Sequence, residues 1–308
     1  MATRGASASR CARRVCLSSI ATPTANTSIG RSIKKTCKLR AAELRDEALF
    51  KDPPPKEDCP ICFLPMPAQL LYCISLPPAT KSSVPINDFA MTNEGLAMKQ
   101  TETYYTCCGK SVCGGCIHSF RESGNNGKCP FCNSDRGGKT DGELVEYRMK
   151  RVEANDAASI YVLADLCYKG LNGVQQDQTK PMELYAKAAE LGYSKAHHHL
   201  AGFYHQGGNL KKAKFHFEAA AIAGHEGARY NLGIMEKISG NMDRAMKHWT
   251  IGASAGCYNA MYKLITLFKN GLVSSESIDS ILTAYNSSCA EMRSKARDAA
   301  IQIAMDTI

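Results

Sequence analysis

The first 42 residues contain no aspartate or glutamate; the first acidic side chain is Glu43. Nine lysines and arginines fall in the same stretch, which accounts for the whole net charge of +9. Removing those nine leaves 29 basic against 29 acidic groups over residues 43–308. That balance argues against a basic nucleic-acid face on the folded part, which would need clustered positive charge. No run of about 18 apolar residues occurs, which excludes an ordinary membrane-spanning helix. The segment VCLSSIATP (15–23) is too polar for the apolar core of a secretory signal. A disulfide framework, which needs an oxidising route, is correspondingly disfavoured. Aromatic side chains are few, with one Trp and nine Phe, while Ala is plentiful. Closely packed helices fit that composition better than a large aromatic core.

The acid-poor, Arg- and Ser-rich beginning reads either as a disordered basic tail or as an organellar transit segment. Residues 1–50 form this first region, with a short helix expected over 39–50 (LRAAELRDEALF) before the prolines of DPPP (52–55) stop it. The expected compartment is cytoplasmic or nuclear, with organellar targeting by the basic N-terminus left open.

What is abundant is cysteine, 15 in 308 residues. Cys59-x2-Cys62, Cys107-Cys108, Cys113-x2-Cys116 and Cys129-x2-Cys132 lie within one region, residues 51–138. Two thiols separated by two residues reach one ion from a tight knuckle, and a tetrahedral Zn²⁺ takes four thiolates, so eight thiols suit two ions. Gly114 and Gly115 ease the turn between Cys113 and Cys116. Residues 74–106 lack cysteine and read as an inserted loop. Cys73 and His118 are alternative ligands. A nucleophilic role needs a lowered pKa and a nearby base, and paired knuckle cysteines are committed to metal. The run His197-His198-His199 cannot converge on one ion, because successive helical side chains point about 100° apart. These three are read as ordinary helix positions, and Trp249 as a core residue.

Beyond Asp135–Gly138, read as a turn, Thr140 and Glu143 form a capping-box pattern. A helical connector then occupies 139–155, with Leu144, Val145, Met149 and Val152 on its apolar side. From residue 156 to 308 the chain repeats. Gly192, Gly224 and Gly256 are 32 apart, as are Ala196, Ala228 and Ala260, Leu200, Leu232 and Leu264, and Tyr185, Phe217 and Trp249. Each unit splits at a glycine turn into two helical patterns. One helix pair cannot bury its apolar face alone, so a stacked solenoid is expected. The three glycines fit helix C-terminal caps, and Pro181 a first helical turn. The stretch 260–308 keeps half of the pattern and is read as a cap.

Two resemblances follow from these residues. LADLCYKGLNGVQQDQTKPMELYAKAAELGYSKA (163–196) resembles the Sel1-like repeats, relatives of the tetratricopeptide repeats, with Cys167 where that family favours Tyr and Pro181 where it favours Ala. CPICFLP (59–65), CCGKSVCGGCIHSF (107–120) and CPFC (129–132) resemble a RING zinc finger. That resemblance implies a small α+β fold with two Zn²⁺ in a cross-brace: Cys59, Cys62, Cys113 and Cys116 on one, Cys107, Cys108, Cys129 and Cys132 on the other. Lys110 stands where the family usually has a histidine ligand, and the adjacent Cys107 and Cys108 compensate. The resemblance also implies recruitment of a ubiquitin-conjugating enzyme through an apolar groove, matched here by Ile61, Phe120 and Pro130. The arginine that often follows the last cysteine is Asn133. Such a ligase works by positioning, and no residue is assigned a catalytic role. The repeats would hold a substrate, adaptor or other protein or peptide, with no membrane insertion. The alternative is a non-enzymatic, zinc-stabilised interaction scaffold.

Overall fold

The computed structural model describes residues 28–66, 102–135, 140–171 and 179–306. The chain divides into two compact units at Lys51/Asp52. In the first, helix α1 (Ser28–Leu49) is 22 residues long. It begins well before the expected residue 39. Residues 28–38 contain no proline and are rich in Lys and Arg, which are good helix formers, so nothing stops the helix from extending back to Ser28. Arg40 pairs across its exposed face with Glu43 at 3.0 Å and Glu47 at 3.5 Å.

In the second unit, strands β1 (Glu102–Tyr105) and β2 (Lys110–Cys113) form an antiparallel hairpin, with Tyr105 opposite Lys110 and Glu102 opposite Cys113. β1 occupies the end of the segment expected as a loop; residues 67–101 lie outside the described residues. Gly109 closes the hairpin turn at φ +68°, donating its N–H to the Tyr105 carbonyl at 2.8 Å. β2 runs straight into helix α2 (Gly114–Glu122).

Helix α3 (Asp141–Glu153) starts on the expected capping box. The Thr140 Oγ1 accepts the Glu143 N–H at 3.3 Å, and Glu143 accepts the Thr140 N–H at 2.7 Å. Its inner face differs from the expected one. Arg148 and Val152 are buried and Met149 is exposed. An i, i+4 stripe through 144, 148 and 152 sets the face, and the long apolar stem of arginine can line it.

Eight helices then stack as antiparallel neighbours: α4 (Ala157–Lys169), α5 (Lys180–Glu190), α6 (Ser194–Gln206), α7 (Leu210–Ile222), α8 (Glu226–Ile238), α9 (Met242–Ser254), α10 (Tyr258–Lys269) and α11 (Ser275–Glu291). The 32-residue period is visible in the backbone. Gly192, Gly224 and Gly256 adopt φ of 88°, 89° and 88°. After each, the next N–H reaches back to the carbonyl five residues earlier, as from His225 to Ala220 at 3.0 Å. This is the glycine-terminated helix end expected from the sequence. Ala196, Ala228 and Ala260 are fully buried, and Tyr185, Phe217 and Trp249 fill the space between helices. Pro181 sits in the first turn of α5.

The last helix, α12 (Lys295–Asp306), does not continue the stack. It packs on α2 of the cysteine-rich head. The capping of the solenoid therefore falls to α11, which lies against α9 and α10. Further contacts tie head to repeats. Lys56 pairs with Glu226 at 2.6 Å, Tyr104 donates to Asp156 at 2.6 Å, and Lys195 pairs with Glu102. Arg151 of α3 donates from Nε to the Thr106 carbonyl and from Nη2 to the Cys107 carbonyl at 3.4 Å.

Candidate metal centre

The cysteine pairs sit on two near-identical knuckles, the hairpin tip and the start of α2. In the first knuckle the Cys59 N–H donates to the Leu64 carbonyl at 3.0 Å, and the Phe63 N–H to the Cys59 carbonyl at 2.9 Å. In the second, the Cys129 N–H donates to Ser134 at 3.0 Å and the Asn133 N–H to Cys129 at 2.9 Å. Bridges Asp58–Pro65 and Lys128–Asp135 close the two loops alike. Each knuckle ends on a residue of positive φ, Phe63 at 54° and Asn133 at 57°. Asparagine tolerates this region; a phenylalanine there is unusual. Phe63 is also 75% exposed. No turn-favouring residue type marks the Phe63 position in the sequence.

The four segments interleave. The sulfurs of Cys59, Cys62, Cys113 and Cys116 gather within 4.8 Å of one another, and so do those of Cys107, Cys108, Cys129 and Cys132. The first and third pairs thus share one cluster, the second and fourth the other. The sulfur–sulfur distances are 3.9 Å for Cys59–Cys116, 3.8 Å for Cys62–Cys113, 3.8 Å for Cys108–Cys129 and 3.5 Å for Cys107–Cys132. A tetrahedron with metal–sulfur bonds of about 2.3 Å has edges of about 3.8 Å. The cysteines are free, and these spacings are far beyond the disulfide length of about 2.05 Å. Each cluster could therefore hold a metal ion.

The electrostatics point the same way. Burial pushes Cys116 up, and the neighbouring Cys113 thiol adds to it. Burial, then Cys129, pushes Cys108 up to about 12. Cys113 and Cys107 are raised too, chiefly by burial. Cys59 is also buried, but N–H groups of Cys113, Cys62 and Ile61 outweigh that and bring it down to about 7. Cys132, held by the Ser134 hydroxyl at 3.2 Å, falls to about 6. Each cluster thus has a thiol ready to ionise beside thiols that resist it. Four thiolates at this spacing repel one another, and a dication at the centre removes that cost.

The clusters differ in shelter. Cys59 and Cys113 are buried in the first, whereas in the second Cys129 alone is buried and Cys132 is exposed. His118, on α2, joins neither cluster, and Cys73 lies outside the described residues. Lys110 lies over the Phe131 ring at 5.9 Å from its centroid. Among the described residues no other group of three or more candidate ligands occurs. The three consecutive histidines diverge as expected. His197 meets His216 at 3.0 Å, His198 stacks on His225 at 4.3 Å between centroids, and His199 meets the Tyr161 hydroxyl at 3.0 Å.

Ile61 and Pro130 are half-buried on their knuckles. Phe120, on α2, lines a cavity of about 180 Å³ together with Tyr105, Ile117, Arg121, Lys128 and Leu144. Ile61 and Pro130 are not among its walls.

Fold and site together define a helical-repeat protein whose head carries two four-cysteine clusters. No family model matches the chain, and no curated protein does. Among solved structures it is similar to a Sel1 repeat protein from Oxalobacter formigenes, at 19% identity and TM-score 0.45, over 58% of this chain and 72% of that one. A protective antigen of uropathogenic Escherichia coli displaying an SLR fold gives 19% identity and TM-score 0.40, over 66% of this chain and 45% of the antigen. Pseudomonas aeruginosa 5086 gives 18% identity and TM-score 0.32, over 58% and 84%. Among the described residues no helix is long and apolar enough to cross a membrane.

Proposed function

We propose that the head is a RING-type module holding two Zn²⁺, which recruits a ubiquitin-conjugating enzyme, while the repeats engage the substrate or an adaptor. The observation that carries the reading is the interleaved grouping of the cysteine pairs, first with third and second with fourth. Zinc supplies the cross-links of a segment too small to be held by its apolar core alone. The chain's own residues do the rest: Ile61 and Pro130 on the two knuckles and Phe120 on α2 offer apolar contact to the conjugating enzyme. Exposed Phe63, at the end of the first knuckle, extends that surface. Asn133 replaces the arginine that would steady the activated conjugate, so binding is better provided for than activation.

The test is ubiquitin transfer by the zinc-loaded full chain against a panel of conjugating enzymes. Ile61→Ala and Pro130→Ala spare every thiol, so zinc content and helicity should hold while chain formation falls several-fold; loss of an interface anchor commonly costs more than about 1 kcal/mol. Asn133→Arg should raise transfer. No transfer with any enzyme, in wild type or Asn133→Arg, with zinc fully bound, would sink the ligase reading.

One observation favours a second reading, the non-enzymatic scaffold. The head is fastened to the repeats at both ends, by Arg151 from α3 and by α12. A metal-braced head that serves as an internal clamp for the solenoid needs no enzyme partner. Under this reading the Ile61 and Pro130 variants leave every function of the chain unchanged.

A further inference from the structure

Arg297 opens α12 and is 3% exposed. Its Nη1 donates to the carbonyls of Pro65 and Met292, both at 2.7 Å. Its Nη2 reaches the Leu64 carbonyl at 3.2 Å and the Cys62 sulfur at 3.5 Å. Its Nε is buried with no hydrogen-bond partner. Among the described residues no carboxylate pairs with it. The adjacent Asp298 is engaged with Arg293, at 3.1 and 3.3 Å. A buried guanidinium that meets carbonyls and a cysteine sulfur but no carboxylate lacks a fixed counter-charge, and such charges are rarely left unpaired. Among the described residues, the source of negative charge in reach is the first cysteine cluster. Four neutral thiols carry no charge, and neither do two disulfides. Four thiolates around a dication carry −2.

A second observation is independent of charge. The first turn of α12 presses on the first turn of α2 at a glycine. A Cβ added to Gly115 would lie 2.7 Å from the Arg297 backbone nitrogen and 2.8 Å from its Cα. The second cluster has a counterpart that differs in charge: Arg151 packs on Gly109 of the hairpin tip and donates to the Thr106 and Cys107 carbonyls, but Asp156 matches its charge at 3.3 Å.

We propose that Arg297 is the counter-charge of a metal–thiolate first cluster, so that metal occupancy there and docking of α12 on the head are one coupled equilibrium. The proposal rests on the metal reading of that cluster. With metal bound, the guanidinium is held and α12 seals the knuckle. When the metal leaves, the four sulfurs are no longer held together, Arg297 loses its hold on the Cys62 knuckle and α12 comes away. Arg297 positions the cluster from outside and is not itself a ligand.

The experiment uses the full zinc-loaded chain and a chelator. Differential alkylation reports which cysteines are released, and hydrogen exchange reports the protection of α12. Arg297→Met keeps the apolar stem and removes the charge. It should release the first cluster's zinc roughly ten- to a hundredfold faster, the usual range for outer-shell changes. Release from Cys129 and Cys132 should be unchanged, and α12 should exchange as in the stripped wild type. Arg297→Lys should restore part of the retention. Gly115→Ala, which leaves charge and thiols intact and wedges α12 outward, should also speed release from the first cluster; it serves if Arg297→Met fails to fold. Wild-type release rates in both variants, or α12 protection that ignores removal of the first zinc, would overturn the proposal. A wild-type chain that binds no zinc would instead remove the metal reading beneath it.

Discussion

Trp249 is the one tryptophan in the chain, and replacing it with alanine tests the repeat packing at its tightest point. The indole is 1% exposed, its N–H donates to the Tyr230 carbonyl at 3.2 Å, and one face lies on Gly233. It joins α9 to a core that includes Ala253, Ala260, Leu264, Ile278 and Tyr285. A buried tryptophan removes about 150–250 Å² from water. At about 25 cal/mol per Å² this is about 4–6 kcal/mol, an upper figure because unfolded chains already hide some surface. Core aromatic-to-alanine changes measured elsewhere cost about 3–5 kcal/mol, which agrees. The Tyr230 carbonyl lies within a helix, so losing the indole donor adds little.

The loss should not stay local, since each repeat borrows its core from the next. Thermal and denaturant unfolding followed by far-ultraviolet circular dichroism should show one transition shifted downward, with helices α8 to α11 losing hydrogen-exchange protection first. Gly233→Ala probes the same contact from the other side. The added methyl collides with the indole and should cost about 1–3 kcal/mol by overpacking. Combined with Trp249→Phe it should cost less than the sum of the two single changes, because the smaller ring makes room. Unchanged melting of Trp249→Ala, or strict additivity in the double variant, would refute the packing described here.

Two further predictions concern the repeats. His225 caps α8 by accepting the Ala228 N–H at its Nδ1, at 3.3 Å, and burial with nearby Lys195 and His199 lowers its pKa to about 3. Because the folded pKa lies below the unfolded value of about 6.5, its contribution is complete above pH 6.5 and is lost as pH falls toward 3, by at most about 1.4 kcal/mol per pH unit. His225→Asn keeps a capping oxygen without a titrating ring, so stability measured by urea unfolding should fall less steeply between pH 6.5 and 4 than in wild type; an equal slope would contradict this. Gly192→Ala should cost about 1–2 kcal/mol from left-handed backbone strain alone, since nothing lies near its added methyl. Gly224→Ala, whose methyl would meet Pro54 Cγ at 3.1 Å, should cost more than Gly192→Ala in the same melt, and equal costs would mean that the 52–58 segment does not lie on that turn.

Much of this was legible in the residues. The 32-residue spacing of Gly192, Gly224 and Gly256 led to the turns because a positive φ leaves a local mark in composition. The cysteine pairs led to two clusters because knuckle geometry is also local. What escaped was set by long-range contact. Arg297 lies 235 residues from Cys62, and no periodicity signals that the last helix turns back to the head. Arg148 reads as a solvent residue until its helix is placed against its neighbours, and only then does its burial replace that of Met149. Phe63 has the same backbone state as Asn133, but only the asparagine carries a residue-type hint of it. Phe120 reads in the sequence as part of a shared apolar groove, and the cavity it lines includes Leu144 from the connector helix, 24 residues along the chain.

In the metal proposal, eight thiols form two sites. Native mass spectrometry of the full chain, with alkylation of reactive thiols, measures this directly. The expected result is two Zn²⁺ per chain, with Cys59, Cys62, Cys107, Cys108, Cys113, Cys116, Cys129 and Cys132 protected until a chelator is added. Cys132 should become reactive before Cys59, because Cys132 is exposed while Cys59 is buried. A chain carrying no zinc, with these cysteines freely alkylated or joined in disulfides, would contradict it.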